Sequence, residues 1–323
     1  MSKSIKKCFY DKLIIDNLIL AHERAKKNKS NRYELLKFEV DLESNIISIM
    51  DSLTNGSYRL GRYREFTIYE PKERIIRCLP YKDRIVQQWY IYEFIKPYII
   101  PRLINSTCAC IDNRGTHFAV KLLQRYMRIM KRRYNNYYIL KLDIKKYFYN
   151  IDKDILYNII KEYINDKKIL WLTRIFIYDD DSKKGIPIGN YTSQYFANIY
   201  LSIIDRYIKE ELRVKFYVRY MDDMVILVSN KLECKILFDK IRNVLNDKLC
   251  LELNKKSRYY PSEMGIIFCG YKIYETHILI KNGNKYRIKK IIRKGKNGNS
   301  RSINDFFSYL KHADSYNFIN NNM

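Results

Sequence analysis

The sequence predicts an α+β fold, and three observations carry that reading. Strand-like and helical stretches alternate along the chain without a glycine-rich phosphate loop. Neither GxGxxG nor GxxxxGK[ST] occurs, which leaves doubly wound nucleotide-binding folds without a motif. Two strongly β-prone apolar runs flank Asp222-Asp223, the pattern of an antiparallel hairpin. Apolar residues make up 47% of the 323, the ordinary share for a chain that buries a core. The length suggests about two domains, or one large domain with lobes.

The elements follow in order. Leu13, Ile14, Leu18 and Ile19, then Leu35, Leu36, Phe38, Val40, Leu42 and Ile46, repeat with helical spacing and predict two or three amphipathic helices. Phe66, Ile68, Ile75 and Ile76 lie in strand-like runs around a turn at Glu70-Pro71-Lys72-Glu73. Residues 82–100 and 115–133 read as helices. A strand runs from Tyr137 to Asp143, and a long helix from about Lys153 to Phe176. A polar break covers 179–185. Residues 192–212 read as a helix, 216–228 as a hairpin, 231–248 as a helix and 264–280 as two short strands. The remainder is basic and rich in Gly and Asn at first, then helical from about Ile303 to Ala313.

Charge narrows the partners. Lys and Arg number 61 against 35 Asp and Glu, a formal charge of +26. An excess of this size points to a polyanion, either nucleic acid or an anionic membrane surface. No apolar run reaches transmembrane length, no amphipathic anchor stands out, and no signal peptide is legible, so no membrane partner is expected. Seven scattered cysteines favour reduced thiols in a cytoplasmic setting. Cys108-Ala-Cys110 has no second pair, and with four histidines in the chain a structural zinc is not expected. The 31 tyrosines suit stacking on bases, though AT-rich coding bias enriches the same residue.

The chemistry concentrates in two segments. In Tyr217-Val-Arg-Tyr-Met-Asp222-Asp223-Met-Val-Ile-Leu-Val228, two adjacent carboxylates form the expected two-residue link of the hairpin. Aspartate fills turns readily, but two at one hairpin tip repel unless a cation sits there. In Tyr137-Tyr-Ile-Leu-Lys-Leu-Asp143, an apolar strand ends in a third carboxylate. Three such oxygen donors are what Mg²⁺ takes. Two ions about 3.5–4 Å apart bridge attacking and leaving oxygens in phosphoryl transfer.

In this setting Tyr220-Met-Asp-Asp223, with Asp143 upstream, resembles the palm of a reverse transcriptase. The likeness continues in order. Gly185-Ile-Pro-Ile-Gly-Asn-Tyr-Thr-Ser-Gln194-Tyr-Phe-Ala-Asn-Ile-Tyr200 resembles the loop and helix under the incoming nucleotide. Phe268-Cys-Gly270-Tyr271 resembles the primer grip, and Arg64 to Ile76 the fingers. Group II intron and retron enzymes usually carry a PQG-type sequence where this chain has Pro187-Ile188-Gly189-Asn190. The run from Ile188 to Leu201, Tyr81 to Gln87 and Arg114 to Ala119 are instead similar to reverse transcriptases of diversity-generating retroelements. Phage-defence reverse transcriptases share parts of the pattern. An idle RNA-binding scaffold is the non-enzymatic alternative, and the presence of all three aspartates argues against it.

The resemblance implies a right-hand polymerase. Its expected parts are a helical extension over 1–55, fingers over 56–136, a palm with an antiparallel sheet over 137–262, a primer-grip hairpin over 263–280 and a small basic thumb over 281–323. It implies that Asp143, Asp222, Asp223 and the Ile144 carbonyl hold two Mg²⁺, with Mn²⁺ a substitute. Lys72, Arg74 and Lys145 would meet the triphosphate. Phe148 would exclude a ribose 2′-OH, a core Phe being the alternative. Ile188 and Gln194 would line the nucleotide site, and Lys255 or Lys256 would protonate pyrophosphate. RNA template, DNA or RNA primer and dNTPs are the implied partners, with an accessory protein and a noncoding RNA.

Overall fold

A computed structural model describes residues 5–28, 33–69, 72–295 and 309–320. The chain divides into two compact units. One holds the chain up to Ile104, Lys146–Asp205 and Leu245–Leu251. The other holds Asn105–Lys145, Arg206–Val244 and the chain from Glu252 onward.

The first unit is mostly helical. Helices Ile15–Lys26, Tyr33–Val40 and Leu42–Asn55 bury Leu18, Leu35, Phe38 and Ile46, the alternate apolar positions that the spacing predicts. Ile14, Ile19, Leu36 and Val40 stay exposed. Helix Tyr81–Tyr90 is buried along most of its length. It carries Asp83, whose carboxylate accepts from the Tyr58 hydroxyl at 2.8 Å and the Gly61 amide at 3.1 Å. Strands β1 (Arg64–Ile68) and β2 (Arg74–Cys78) form an antiparallel hairpin with Phe66 opposite Ile76. Glu70 and Pro71 of its expected turn lie outside the described residues.

The single helix expected over 153–176 is two, Lys153–Lys161 and Lys167–Ile177. Asp166 divides them. One carboxylate oxygen caps the second helix, accepting from the amides of Lys168 (2.9 Å) and Ile169 (3.2 Å). Its other oxygen accepts from the amides of Cys8 (3.0 Å) and Phe9 (3.2 Å). A short polar side chain that offers the backbone such partners ends one helix and starts the next. The helix expected over 192–212 is likewise segmented, as Tyr191–Tyr200, Ser202–Arg206 and a wider turn over Tyr207–Glu211.

The second unit is built on a four-stranded sheet, ordered β4 (Tyr217–Tyr220), β5 (Asp223–Val228), β3 (Tyr138–Asp143) and β6 (Arg258–Pro261), all antiparallel. Helix Thr116–Tyr134 covers one face. Its Ala119, Val120, Leu123, Met127 and Met130 pack with Ile139, Val218, Val225 and Leu227.

A second sheet, β7 (Ile266–Phe268), β8 (Tyr271–Ile273) and β9 (Ile278–Ile280), has three strands where two were expected. The run Asn282–Gly295, expected to be irregular, is helical: its Lys, Arg and Ile outweigh the one early glycine, Gly283, and Ile288 is buried. Of the helix expected over 303–313, residues 303–308 lie outside the described ones, and only a turn follows Tyr309-Leu310. All seven cysteines are free thiols. Among the described residues no helix is long and apolar enough to cross a membrane.

Asp166→Ala removes acceptors for four amides at once. It is expected to cost about 2–3 kcal/mol, read as a lowered denaturant midpoint.

Candidate active site

The acidic hairpin is tighter than the sequence suggests. Tyr220 pairs with Asp223, so the two-residue link is Met221-Asp222, and Asp223 already belongs to β5. Met221 sits at φ +53°, a left-handed conformation that costs a non-glycine residue about 1–2 kcal/mol. Arg219, fully buried, braces it: one guanidinium nitrogen donates to the Met221 carbonyl at 3.1 Å, the other to Thr107 Oγ1 at 3.4 Å. The Arg219 amide donates to the Ser106 carbonyl at 3.0 Å, and its carbonyl accepts from the Cys108 amide at 2.9 Å. The sequence reading overlooked this arginine. The signal was a cation amid a run of buried strand residues.

Register brings the third carboxylate in. β3 and β5 align Leu142 with Met224 and Asp143 with Asp223. The end of β3 is held through its backbone. Ser257 Oγ accepts from the Asp143 amide at 3.0 Å and donates to its carbonyl at 3.1 Å, while the Asn254 amide donates to that carbonyl at 2.7 Å. Ile144 is buried and bridges Leu253. Lys145 pairs with Glu252 at 2.8 Å, both exposed. Lys255 and Lys256 sit exposed on the loop that pins Asp143.

Asp223 is the electrostatic centre. Burial pushes its carboxyl up to about 6 against the pull of Lys141, and Asp143 and Asp222 add to the rise. Lys141 Nζ donates to Oδ2 at 3.1 Å and to the Ile267 carbonyl at 2.5 Å. Oδ1 is buried with no hydrogen-bond partner. An orphaned carboxylate oxygen, with one carboxylate across the ladder and another next in sequence, is a donor set that suits a hard divalent cation. Among the described residues no three Asp, Glu, His or Cys side chains already surround one point, so Lys141 is the counter-charge the structure shows. A cavity of about 610 Å³ opens beside it, lined by Lys141, Lys255, Lys256, Arg258 and Lys272. Five cations on one wall suit phosphate.

The residues expected to form a primer grip lie in the same unit. Cys269 (φ +48°) and Gly270 (φ +85°) form the two-residue turn between β7 and β8, the geometry that matches strand twist. Phe268 and Tyr271 are buried in the core, so they support the hairpin from within, while Ile267 and Lys272 are the more exposed side chains. The Tyr271 ring stacks on Tyr309 at 4.3 Å, and Tyr309 and Asn284 donate to the Gly270 carbonyl. A side chain at Gly270 would strike the Tyr309 hydroxyl.

The other expected nucleotide contacts belong to the first unit. Lys72 and Arg74 are exposed at the start of β2, and Gln194 is exposed on helix Tyr191–Tyr200. Phe148 is half-buried, edge-on to Tyr147. Ile188 is half-buried, and its carbonyl accepts from the Arg77 amide at 2.9 Å. The Ile186 amide donates to the Phe148 carbonyl at 2.9 Å, which ties those two candidates to one framework.

The family model for reverse transcriptase (RNA-dependent DNA polymerase) matches residues 69–273, well over half of the chain, and the chain belongs to that family. It is 23% identical to the COX1/OXI3 intron 2 protein of Saccharomyces cerevisiae over 47% of its own length and 26% of that protein's. Among solved structures it resembles apo telomerase from Candida tropicalis, with a TM-score of 0.53 at 15% identity, over 79% of this chain and 52% of that one. A form of that telomerase truncated from its C-terminal domain gives 0.51 at 16%, over 73% and 60%. The chain thus spans about a quarter of its curated relative and little more than half of these telomerases. The structural likeness shows the right-hand α+β fold.

Asp223→Asn is expected to raise the melting temperature at pH 7.5. A carboxyl whose folded value is raised favours the fold below its unfolded value, and that contribution is lost as pH rises through about 6. The wild type should therefore lose stability between about pH 4 and 6 relative to Asp223→Asn, as thermal melts across that range will check.

Proposed function

We propose that the chain is an RNA-directed DNA polymerase that copies an RNA template into cDNA, and that it serves a diversity-generating retroelement as its error-prone enzyme. The observation that carries the polymerase reading is the pairing of Asp143 with Asp223 beside Asp222, with a buried Asp223 oxygen left without a partner. In this reading Asp143, Asp222, Asp223 and the Ile144 carbonyl hold two Mg²⁺, or Mn²⁺ in their place. Bound there, the ions supply Lewis-acid stabilisation of a phosphoryl transfer.

The protein's own residues do the rest. Lys72, Arg74 and Lys145 bind the triphosphate, Arg through a fork that grips phosphate oxygens in pairs. Phe148 excludes a ribose 2′-OH. Gln194 lies under the incoming nucleotide. The Phe268–Tyr271 hairpin holds the primer, and Lys255 or Lys256 returns a proton to the departing pyrophosphate. In domain terms the chain divides as the resemblance implies: extension 1–55, fingers 56–136, palm 137–262, primer grip 263–280 and thumb 281–323.

Ile188 supports the error-prone reading. A half-buried Ile offers the nucleotide shape alone, where a Gln would offer a hydrogen bond, and losing a polar contact lowers discrimination. An accessory protein and a noncoding RNA complete the proposed machine, in the cytoplasm.

Primer extension on poly(rA) and mixed-sequence RNA, with Mg²⁺ and dNTPs, tests this. Synthesis is expected, reduced about 10²-fold or more in Asp222→Ala and Asp223→Ala, with errors concentrated opposite adenine. Accurate extension, or homopolymer made without a template, would replace the retroelement role with antiphage defence. Folded protein that binds RNA but makes no DNA, alone or with its neighbouring gene products, would leave an idle scaffold.

A further inference from the structure

A cluster of charges built around a buried lysine lies outside the carboxylate site, in the first unit. Lys153, only 1% exposed, pairs with Asp179 at 3.2 Å and Asp180 at 2.7 Å. Arg77 of β2 reaches the same two carboxylates, at 3.3 Å and 2.9 Å, and pairs also with Glu65 at 2.9 Å. Burial alone would raise the Asp180 carboxyl, yet Lys153, Ser182 and Arg77 hold it well below its ordinary value. Lys153 and Asp179 are buried while Arg77 and Asp180 reach the surface, and a buried ion pair is seldom the most stable filling for its space; the best-attested reason to keep one is to fix a geometry.

The geometry in question belongs to Ile188. The Arg77 amide donates to the Ile188 carbonyl at 2.9 Å. Gly189 follows at φ +121°, where an added side chain would meet the Arg77 carbonyl and Ile76. The Arg77 guanidinium lies 4.4 Å over the Tyr63 ring, and the Tyr63 hydroxyl accepts from Asn190 at 2.9 Å. Arg77 therefore touches both flanks of Ile188, directly at its carbonyl and through Tyr63 at Asn190. At the other end of the cluster, the Lys153 amide donates to the Lys183 carbonyl at 3.1 Å, and Gly185 and Ile186 pair with Ile151 and Phe148. The segment from Asp179 to Asn190 is thus clamped between β2 and the turn that carries Phe148.

We infer that Arg77, Lys153, Asp179 and Asp180 are positioning residues for nucleotide discrimination, fixing Ile188 and Phe148 relative to the β1–β2 hairpin. This rests on the polymerase reading above. Strain in the cluster moves the two side chains that judge base and sugar, and leaves the carboxylates unaltered.

The test uses Asp180→Asn, which keeps size and weakens the pairing, with Arg77→Lys, which keeps the charge and loses the fork. Correct and incorrect dNTP incorporation are measured beside Ile188→Ala and the Asp180→Asn/Ile188→Ala double variant. Discrimination is expected to change about three- to ten-fold in Asp180→Asn, while kcat for the correct nucleotide changes less than about two-fold. For discrimination between bases, the double variant should show little more than Ile188→Ala alone, because both act on the base through that side chain.

Amide hydrogen exchange supplies a readout independent of activity. Arg77 and Ile186, whose amides donate to the Ile188 and Phe148 carbonyls, are expected to lose protection in Asp180→Asn. Unchanged protection, or unchanged discrimination in a variant that merely melts earlier, overturns the proposal. Additive effects with Ile188→Ala on discrimination between bases overturn it as well. A wild type that incorporates nothing while its amides respond as expected refutes the polymerase reading, and with it the role in discrimination, but leaves the clamp standing.

Discussion

The pairing of β3 with β5 is the constraint on which the rest depends. Side chains alternate faces along a strand, so a slip of one residue would send Asp143 to the opposite side of the sheet from Asp223. The register is specified from several directions. Leu140 and Leu142 are buried on β3, and Met224 to Leu227 are buried on β5, so slippage would carry charged Lys141 or Asp143 into apolar surroundings. Asn254 and Ser257 lock the backbone of Asp143 from the other side, where hydrogen bonds to main chain cannot be satisfied one residue out of step. The two carboxylates end up opposite each other because the apolar pattern and the bonds to Asn254 and Ser257 agree on one register.

That pairing carries an electrostatic penalty which the structure only partly relieves. Lys141 neutralises one oxygen of Asp223 and leaves the other buried without a partner. A fold selected for stability alone would place an apolar residue there. The raised carboxyl of Asp223 and the left-handed Met221 are two local costs at one hairpin, and concentrated cost of this kind is characteristic of sites that bind something. Arg219 shows how the surroundings tolerate it: its guanidinium fills a position beneath the turn where the strained carbonyl would otherwise lack a donor.

Much of this was legible in the sequence. The strand ending in Asp143, the hairpin at 216–228 and the β1–β2 pair follow from alternation and β-propensity, which are local. The breaks were harder. Asp166 looks like any polar residue inside a helical run, and only the amides of Cys8 and Phe9, far away in sequence, explain why it stops one helix and starts another. The exact turn at Met221-Asp222 was missed because a non-glycine at positive φ has no composition signal. Three strands replaced two over 264–280 because each is three residues long, too short for periodicity to separate. Asp179 to Gly185 reads as a solvated loop by composition. Its paired charges, Asp179 buried among them, become visible only when Arg77 and Lys153 arrive from other elements.

A common principle joins the elements that sequence patterning does not reveal. Four segments offered for chemistry are held through the main chain from a neighbouring element. Ser257 and Asn254 grip the peptide of Asp143, Arg219 grips the carbonyl of Met221, Arg77 grips the carbonyl of Ile188, and Ile186 grips that of Phe148. A backbone held from outside places its side chain without relying on that side chain's own bonds. Such grips depend little on the identity of the residue they hold. Position 188 can therefore carry an Ile without disturbing its own support, and under the proposed function a change in discrimination arises from one substitution in a frame that stays the same.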